Sequence, residues 1–374
     1  MANRDDFVIS QMKFRPTTTA DSYALSPLKN QLFSLPLDEA GVELRQLKLD
    51  APPNAEAELL LSILRDIGNG LEFLPENRRD EILDSPMVKG TNFRSWRFAF
   101  TSASTFDSLP GRIPSPEEAT SVCRWASRCQ ESEHEERGWD QEVHHRLLEA
   151  ILRDPRKNTE APIDFTARLP SAVDFSLYLA PSHKKAPSPQ VLQALCQKTT
   201  TFSVNHTKLT SLQLRPIILS IKTEGSGLPL HGAELQMGTW HAAQWSFLHS
   251  ALLFPRGRTM AQANRALSRL PFIPGVIIHG HRWLLVLSTR EGTKTIFWTD
   301  RQFGSTQSIM ETYQTVAGLR QLIAWAETVY LPWFIDEILA PLGHGRDDGE
   351  LSTCDGYSYI ARGLRTALER RNSI

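Results

Sequence analysis

Apolar positions along the chain first follow a period near 3.6, then near 2, and the change of period divides the sequence. In "NAEAELLLSILRDIG", Leu60, Ile63, Leu64 and Ile67 recur at helical spacing, and Gly68 and Gly70 close the run. "PENRRDEILD" reads as a second short helix opening at a proline. Ser115 and Glu118 form a capping-box pattern ahead of Val122, Trp125 and Ala126, predicting a third helix. A fourth is predicted from about Trp139 to Leu152, with Val143, Leu147, Leu148 and Ile151 as its apolar stripe and Glu142 close by.

Beyond residue 160 the period shortens. "PIDFTARLP" and "AVDFSLYLAP" are β-rich segments separated by "PSA" and predict a hairpin. A polar, proline-containing excursion over 182–201 leads to a third strand, "LRPIILSIKTEG". "GAELQMGTWHAAQWSFLHSALL" is helical, "GVIIHGHRWLLVLSTREGTKTIFWTDRQFGST" returns to strands around a "REGT" turn, and a long helix from about residue 309 is expected to break near Pro332. This order predicts an α/β fold: a mixed central sheet flanked by helices, with a helical extension before it. The expected divisions are an irregular or partly disordered arm over 1–50, a helical region over 51–110, the core over 111–345, and a tail with a short helix over 346–374.

Charge adds little pull toward any polyanion: 41 Lys+Arg face 42 Asp+Glu, so nucleic-acid binding would need a local basic groove. The arginines of "PRGRTMAQANRALSR" (Arg256, Arg258, Arg265 and Arg269) are the local candidate for a phosphate-facing loop, against the alternative of a solvated linker. Apolar runs are too short for a membrane helix and the acidic N-terminus is unlike a signal peptide, so an intracellular protein, cytoplasmic or nuclear, is expected, with no membrane partner. Cys123, Cys129, Cys196 and Cys354 have no zinc-site spacing and are expected to be reduced.

Three acidic positions fall at element ends that can converge: Glu142, Asp174 and Glu224, with Lys222 two residues before Glu224 and on the same strand face. Hard divalent cations take such oxygen ligands, and phosphodiester hydrolysis needs the cation to polarise phosphate and acidify water. The blocks "WDQEVHHRLLEAIL", "VDFSLYL", "VNHTKLTSLQLRPIILSIKTEGSG", "AELQMGTWHAAQW", "LPFIPGVIIHGHRWLLVLST", "FGSTQSIMETYQTVAGLRQLIAW" and "YLPWF", in this order, resemble the fungal PD-(D/E)XK nuclease-like proteins of the restriction-endonuclease-like superfamily. The resemblance covers about residues 110–340. It implies a restriction-endonuclease-like core with a metal site at Asp174 and the third strand, helped by Glu142. The family's third strand carries an acid, a spacer and then a lysine, whereas here Lys222 precedes Glu224. Two strand residues span roughly 7 Å, beyond metal-ligand tolerance, and Lys222 would put an ammonium where the ligand belongs.

The expectation is therefore a nuclease-fold protein with an altered metal motif, repurposed as a cofactor-free acid/base catalyst on a small organic substrate in fungal secondary metabolism. In that reading Glu142, Asp174, Lys222 and Glu224 are the catalytic cluster, joined by Gln236 of a Gln-x-x-x-Trp pattern, and His231, Trp240, His241 and His279 are substrate contacts. The alternative is a Mg²⁺-dependent DNA endonuclease with Asp174 and Glu224 as ligands; a further one is a non-catalytic binding module. His206 and His281 are expected in hydrogen-bonded core roles, and Trp240, Trp245, Trp283, Trp298, Trp325 and Trp333 lie on apolar stripes, where packing competes with lining a substrate pocket.

Overall fold

The computed structural model describes residues 41–343, apart from 90–92, 103–108, 158–159, 168–172, 226 and 256. The expected tail, its helix and Cys354 lie outside the described residues, as does Arg256.

A seven-stranded mixed sheet forms the centre. Its strands are β1 (Val42–Gln46), the short edge strand β2 (Ile163–Ala167), β3 (Phe175–Leu179), β4 (Ile217–Glu224), β5 (Ile273–His279), β6 (Arg282–Glu291) and β7 (Lys294–Ser305), in the spatial order β1-β7-β6-β5-β4-β3-β2. β4 pairs parallel with β5, and β1 parallel with β7; the remaining neighbours are antiparallel. The expected β2–β3 hairpin pairing is present. Two differences from the expected order stand out. Val42–Gln46 is a strand inside the segment expected to be irregular, because its backbone is completed by β7 rather than by local pattern. The segment expected to hold strands on either side of the "REGT" turn forms three, because a further reversal at Gly280 and His281 separates β5 from β6.

Sequence period explains how the sheet carries two cores. Val276, Ile278, Trp283, Leu285 and Leu287 enter the larger core, while Ile277, Leu284, Val286 and Phe297 enter the other, so side chains alternate between the faces. The longer helices are α1 (Ala55–Gly68), α2 (Pro116–Glu131), α3 over 136–152, α4 (Pro189–Cys196), α5 (His231–Leu252), α6 (Met260–Leu267) and α7, which begins at Ile309–Trp325. α5 supplies Ala233, Met237 and Trp240 to the smaller core, and its later turns reach the larger one through Trp245 and Leu248. α4 falls inside the expected polar excursion, capped by Ser188 with Pro189 in its first turn.

The capping box at Ser115 and Glu118 is formed on both sides, as its spacing predicts. α7 does not break at Pro332. It continues through wide π-helical turns at Ala326–Tyr330 and Ile335–Leu339, and Pro332 sits in the first turn of Leu331–Phe334 between them. The wide turns change which backbone groups pair, so the missing proline N–H is accommodated without ending the helix. Glu337 on this helix binds both Arg258 and Arg269, so these two arginines tie their loop to α7.

Candidate active site

The site is assembled where the C-terminal end of β4, the start of β3 and the first turns of α3 meet. Asp174 continues the ladder onto β4, its N–H donating to Ile221 O at 2.9 Å, so its position is fixed by the sheet. Its Oδ2 accepts from the Thr223 backbone N–H at 2.7 Å and from Lys222 Nζ at 2.7 Å. Lys222 Nζ also donates to Glu136 Oε1 at 3.2 Å, and Thr223 Oγ1 donates to the same oxygen at 3.2 Å. Glu136 is the first residue of α3, so a helix on one side and two strands on the other share one ammonium.

Asp140 completes the group. One carboxylate oxygen from each of Glu136, Asp140 and Asp174 lies within 4.8 Å of the others. Glu136 and Asp140 are one turn apart on α3, which places them on one helix face. Asp140 Oδ1 is 3.1 Å from Nδ1 of His144, another turn along. α3 itself has three consecutive parts: Glu136–Trp139, a π-helical turn Asp140–His144, and His145–Leu152.

The electrostatics are those of a partly buried, net acidic cluster. Lys222 is 7 % exposed; burial lowers its ammonium's pKa, but Asp174 and then Glu136 outweigh burial and hold it above the ordinary lysine value. It is therefore charged at neutral pH. Glu224 ends β4, half-buried beside the first turn of α5, where its Oε2 would be 3.7 Å from a Cβ at Gly232. Burial pushes its carboxyl above the usual carboxylate range; Lys222 opposes this, and Glu136 and Asp174 add to it.

Several residues expected here are elsewhere. Glu142 pairs with Arg146 at 2.8 Å, because it lies two positions past Asp140, around the helix from the face that meets Asp174. Glu136 and Asp140 stand where it was expected. Glu224 is outside the carboxylates that meet, one strand repeat beyond Lys222. Gln236 is exposed on α5. Trp240 donates to Ser220 Oγ at 2.8 Å in the core, and His241 is fully buried with its Nδ1 2.9 Å from Ser288 Oγ. His231 is exposed and pairs with Glu234; His279 Nε2 is 3.0 Å from Leu228 O. His281 has the hydrogen-bonded role expected, with Thr306, whereas His206 packs edge-on against Trp240 and its buried Nε2 has no partner.

The signal that could have found Glu136 and Asp140 is the i, i+4, i+8 series Glu136, Asp140, His144, a polar column that continues the line of the apolar stripe Val143, Leu147 and Ile151 on one helix face.

The fold is thus a mixed α/β sheet flanked by helices, with carboxylates and a lysine gathered at the ends of two adjacent strands. The chain belongs to the PD-(D/E)XK nuclease superfamily, whose family model matches residues 83–331. No curated protein and no solved structure matches it.

The donor set fits a hard divalent cation. All three groups are carboxylates, the spacing of their oxygens suits ligands around one ion, and three carboxylates against one ammonium leave negative charge in a partly buried place. Among the described residues no helix is long and apolar enough to cross a membrane.

Proposed function

We propose that this protein is a divalent-metal-dependent phosphodiester hydrolase, with DNA as the substrate class to test first. The observation that carries this reading is the convergence of Glu136, Asp140 and Asp174 beside Lys222. Mg²⁺ or Mn²⁺ held by these three carboxylates would polarise a phosphate oxygen and lower the pKa of water. Thr223 holds Asp174 through its backbone N–H and Glu136 through its hydroxyl, so two of the three carboxylates are aimed before any ligand arrives. Lys222 Nζ offers fixed positive charge to the charge that develops on a phosphate oxygen. Glu224, its carboxyl raised by burial, can keep a proton nearer neutral pH than an ordinary glutamate and deliver it to a leaving oxygen.

The test is calorimetric titration of metal-free protein with Mn²⁺ and Mg²⁺, together with nicking of supercoiled plasmid DNA, each repeated on Asp174→Ala. Binding and nicking that both vanish in the variant support the reading. A folded parent protein that takes up neither ion sinks it.

A second reading has its own observation. Lys222 Nζ already lies within hydrogen-bond reach of Asp174 and Glu136, as a resident cation would, and Glu224 is primed for proton transfer. In that reading the site is a metal-free acid/base catalyst for a small organic substrate. The aromatic residues that such a substrate needs are taken up by packing: Trp283 is fully buried, and Trp240, Trp245 and Trp333 spend their N–H groups on Ser220, Ser288 and Ala266. For this reason it stands second.

A further inference from the structure

We infer that His144 is a positioning residue of the candidate active site: its Nδ1–H fixes the Asp140 carboxylate in the cluster, and the π-helical turn between them keeps Glu136, Asp140 and His144 in one column. His144 is 1 % exposed, yet its Nδ1 lies 3.1 Å from Asp140 Oδ1. A carboxylate only accepts, so the proton of this bond is on Nδ1. The other nitrogen, Nε2, is buried with no hydrogen-bond partner. The ring stacks on Trp139 at 6.0 Å between centroids and meets Trp283 edge-on at 5.8 Å, so two large buried side chains hold its plane. A polar ring sealed in this way, with one nitrogen left without a partner, is costly unless the bond made by the other matters.

Helix geometry points the same way. Four residues of an α-helix turn slightly past one full revolution, so Glu136, Asp140 and His144 would drift steadily around a regular helix. From Asp140 to His144 the helix is π-type, with the His145 N–H bonded back to Asp140 O, and a wider turn advances less per residue. The shortfall offsets the drift of the preceding turn, and the three side chains stay in one column. One end of that column is held by Thr223 and Lys222, the other by the buried imidazole.

The inference concerns the carboxylate's position; its consequence for metal binding rests on the proposed hydrolase reading. Two measurements separate them. On metal-free, full-length, ¹⁵N-labelled protein, long-range ¹H–¹⁵N spectra of the imidazoles report which nitrogen is protonated. A proton on Nδ1 of His144, with a signal that shifts in Asp140→Ala, is expected; absence of a proton on Nδ1 overturns the proposal. Calorimetry with Mn²⁺ then compares three variants whose folding is checked by thermal melting. His144→Asn keeps an N–H at the Nδ1 position and is expected to bind within about threefold of the parent. His144→Gln offers its N–H at the Nε2 position instead, and it and His144→Leu are expected to lose about 10- to 100-fold. Parent-like affinity in His144→Leu, or a folded His144→Asn as weak as His144→Gln, overturns the proposal. If His144→Leu fails to fold, the Asn and Gln pair decides. A parent that binds no Mn²⁺ refutes the hydrolase reading, and the imidazole spectrum alone then decides the role of His144.

Discussion

Lys222 is the residue on which the two functional readings divide. Its ammonium pairs with both Asp174 and Glu136 in a place where breaking a buried pair is expensive, so Lys222→Met should destabilise the metal-free protein by about 3 kcal/mol in urea titrations. If the carboxylates serve a metal, the same variant should bind Mn²⁺ more tightly than the parent, because the competing charge is gone, while nicking is lost. Destabilisation without gain in metal affinity would favour the metal-free reading. Glu224→Gln separates the readings again: it should leave Mn²⁺ affinity unchanged, because Glu224 stands outside the three carboxylates, but should lower turnover. A Glu224→Gln variant that loses the ion would return Glu224 to the ligand set.

At the scale of elements, the contact between β7 and α7 has no room to spare. A Cβ at Gly304 would lie 2.8 Å from Thr315 Cα, a backbone atom that cannot turn aside. Gly304→Ala should therefore cost about 3 kcal/mol or more in urea denaturation, and a near-neutral result would mean that α7 can slide on the sheet. The helices near the site show what sequence pattern reveals. α1 and the capped α2 were legible because their apolar stripe and caps are local. The start of α3 was not: it was expected at Trp139, but helix begins at Glu136 because this turn is held by the partners of Glu136 on β4.

Across the whole molecule, burial of histidine links stability to acidity. His241 is fully buried and burial lowers its pKa to about 3; burial does the same to His206, whose Nε2 is sealed although part of the residue reaches the surface. Both are ordinary histidines once unfolded, near 6.5. Between these values the unfolded chain binds the protons that the folded one refuses. Stability is thus full above about pH 6.5 and falls as pH drops toward 3, by about 1.4 kcal/mol per pH unit for each histidine. Urea midpoints at pH 7 and pH 5 should differ accordingly, and replacing His241 by Asn should remove about half of that slope. An unchanged slope would mean that His241 finds a proton acceptor in acid.

What the sequence determined by itself is what depends on neighbours along the chain. Short β-rich segments bounded by prolines and glycine gave away the strands beside Asp174 and Lys222, and the shared strand face of Lys222 and Glu224 follows from the two-residue repeat. Only tertiary structure decided which carboxylates meet. Glu136 is 38 residues from Asp174 and 86 from Lys222, and nothing local records that a helix turn will come to rest over the ends of two strands. Likewise Val42–Gln46 became a strand only because β7 offered an edge to its backbone. Periodicity tells a side chain which face to take; the meeting of charges at one point depends on where whole elements pack, which is settled by the two cores on either side of the sheet.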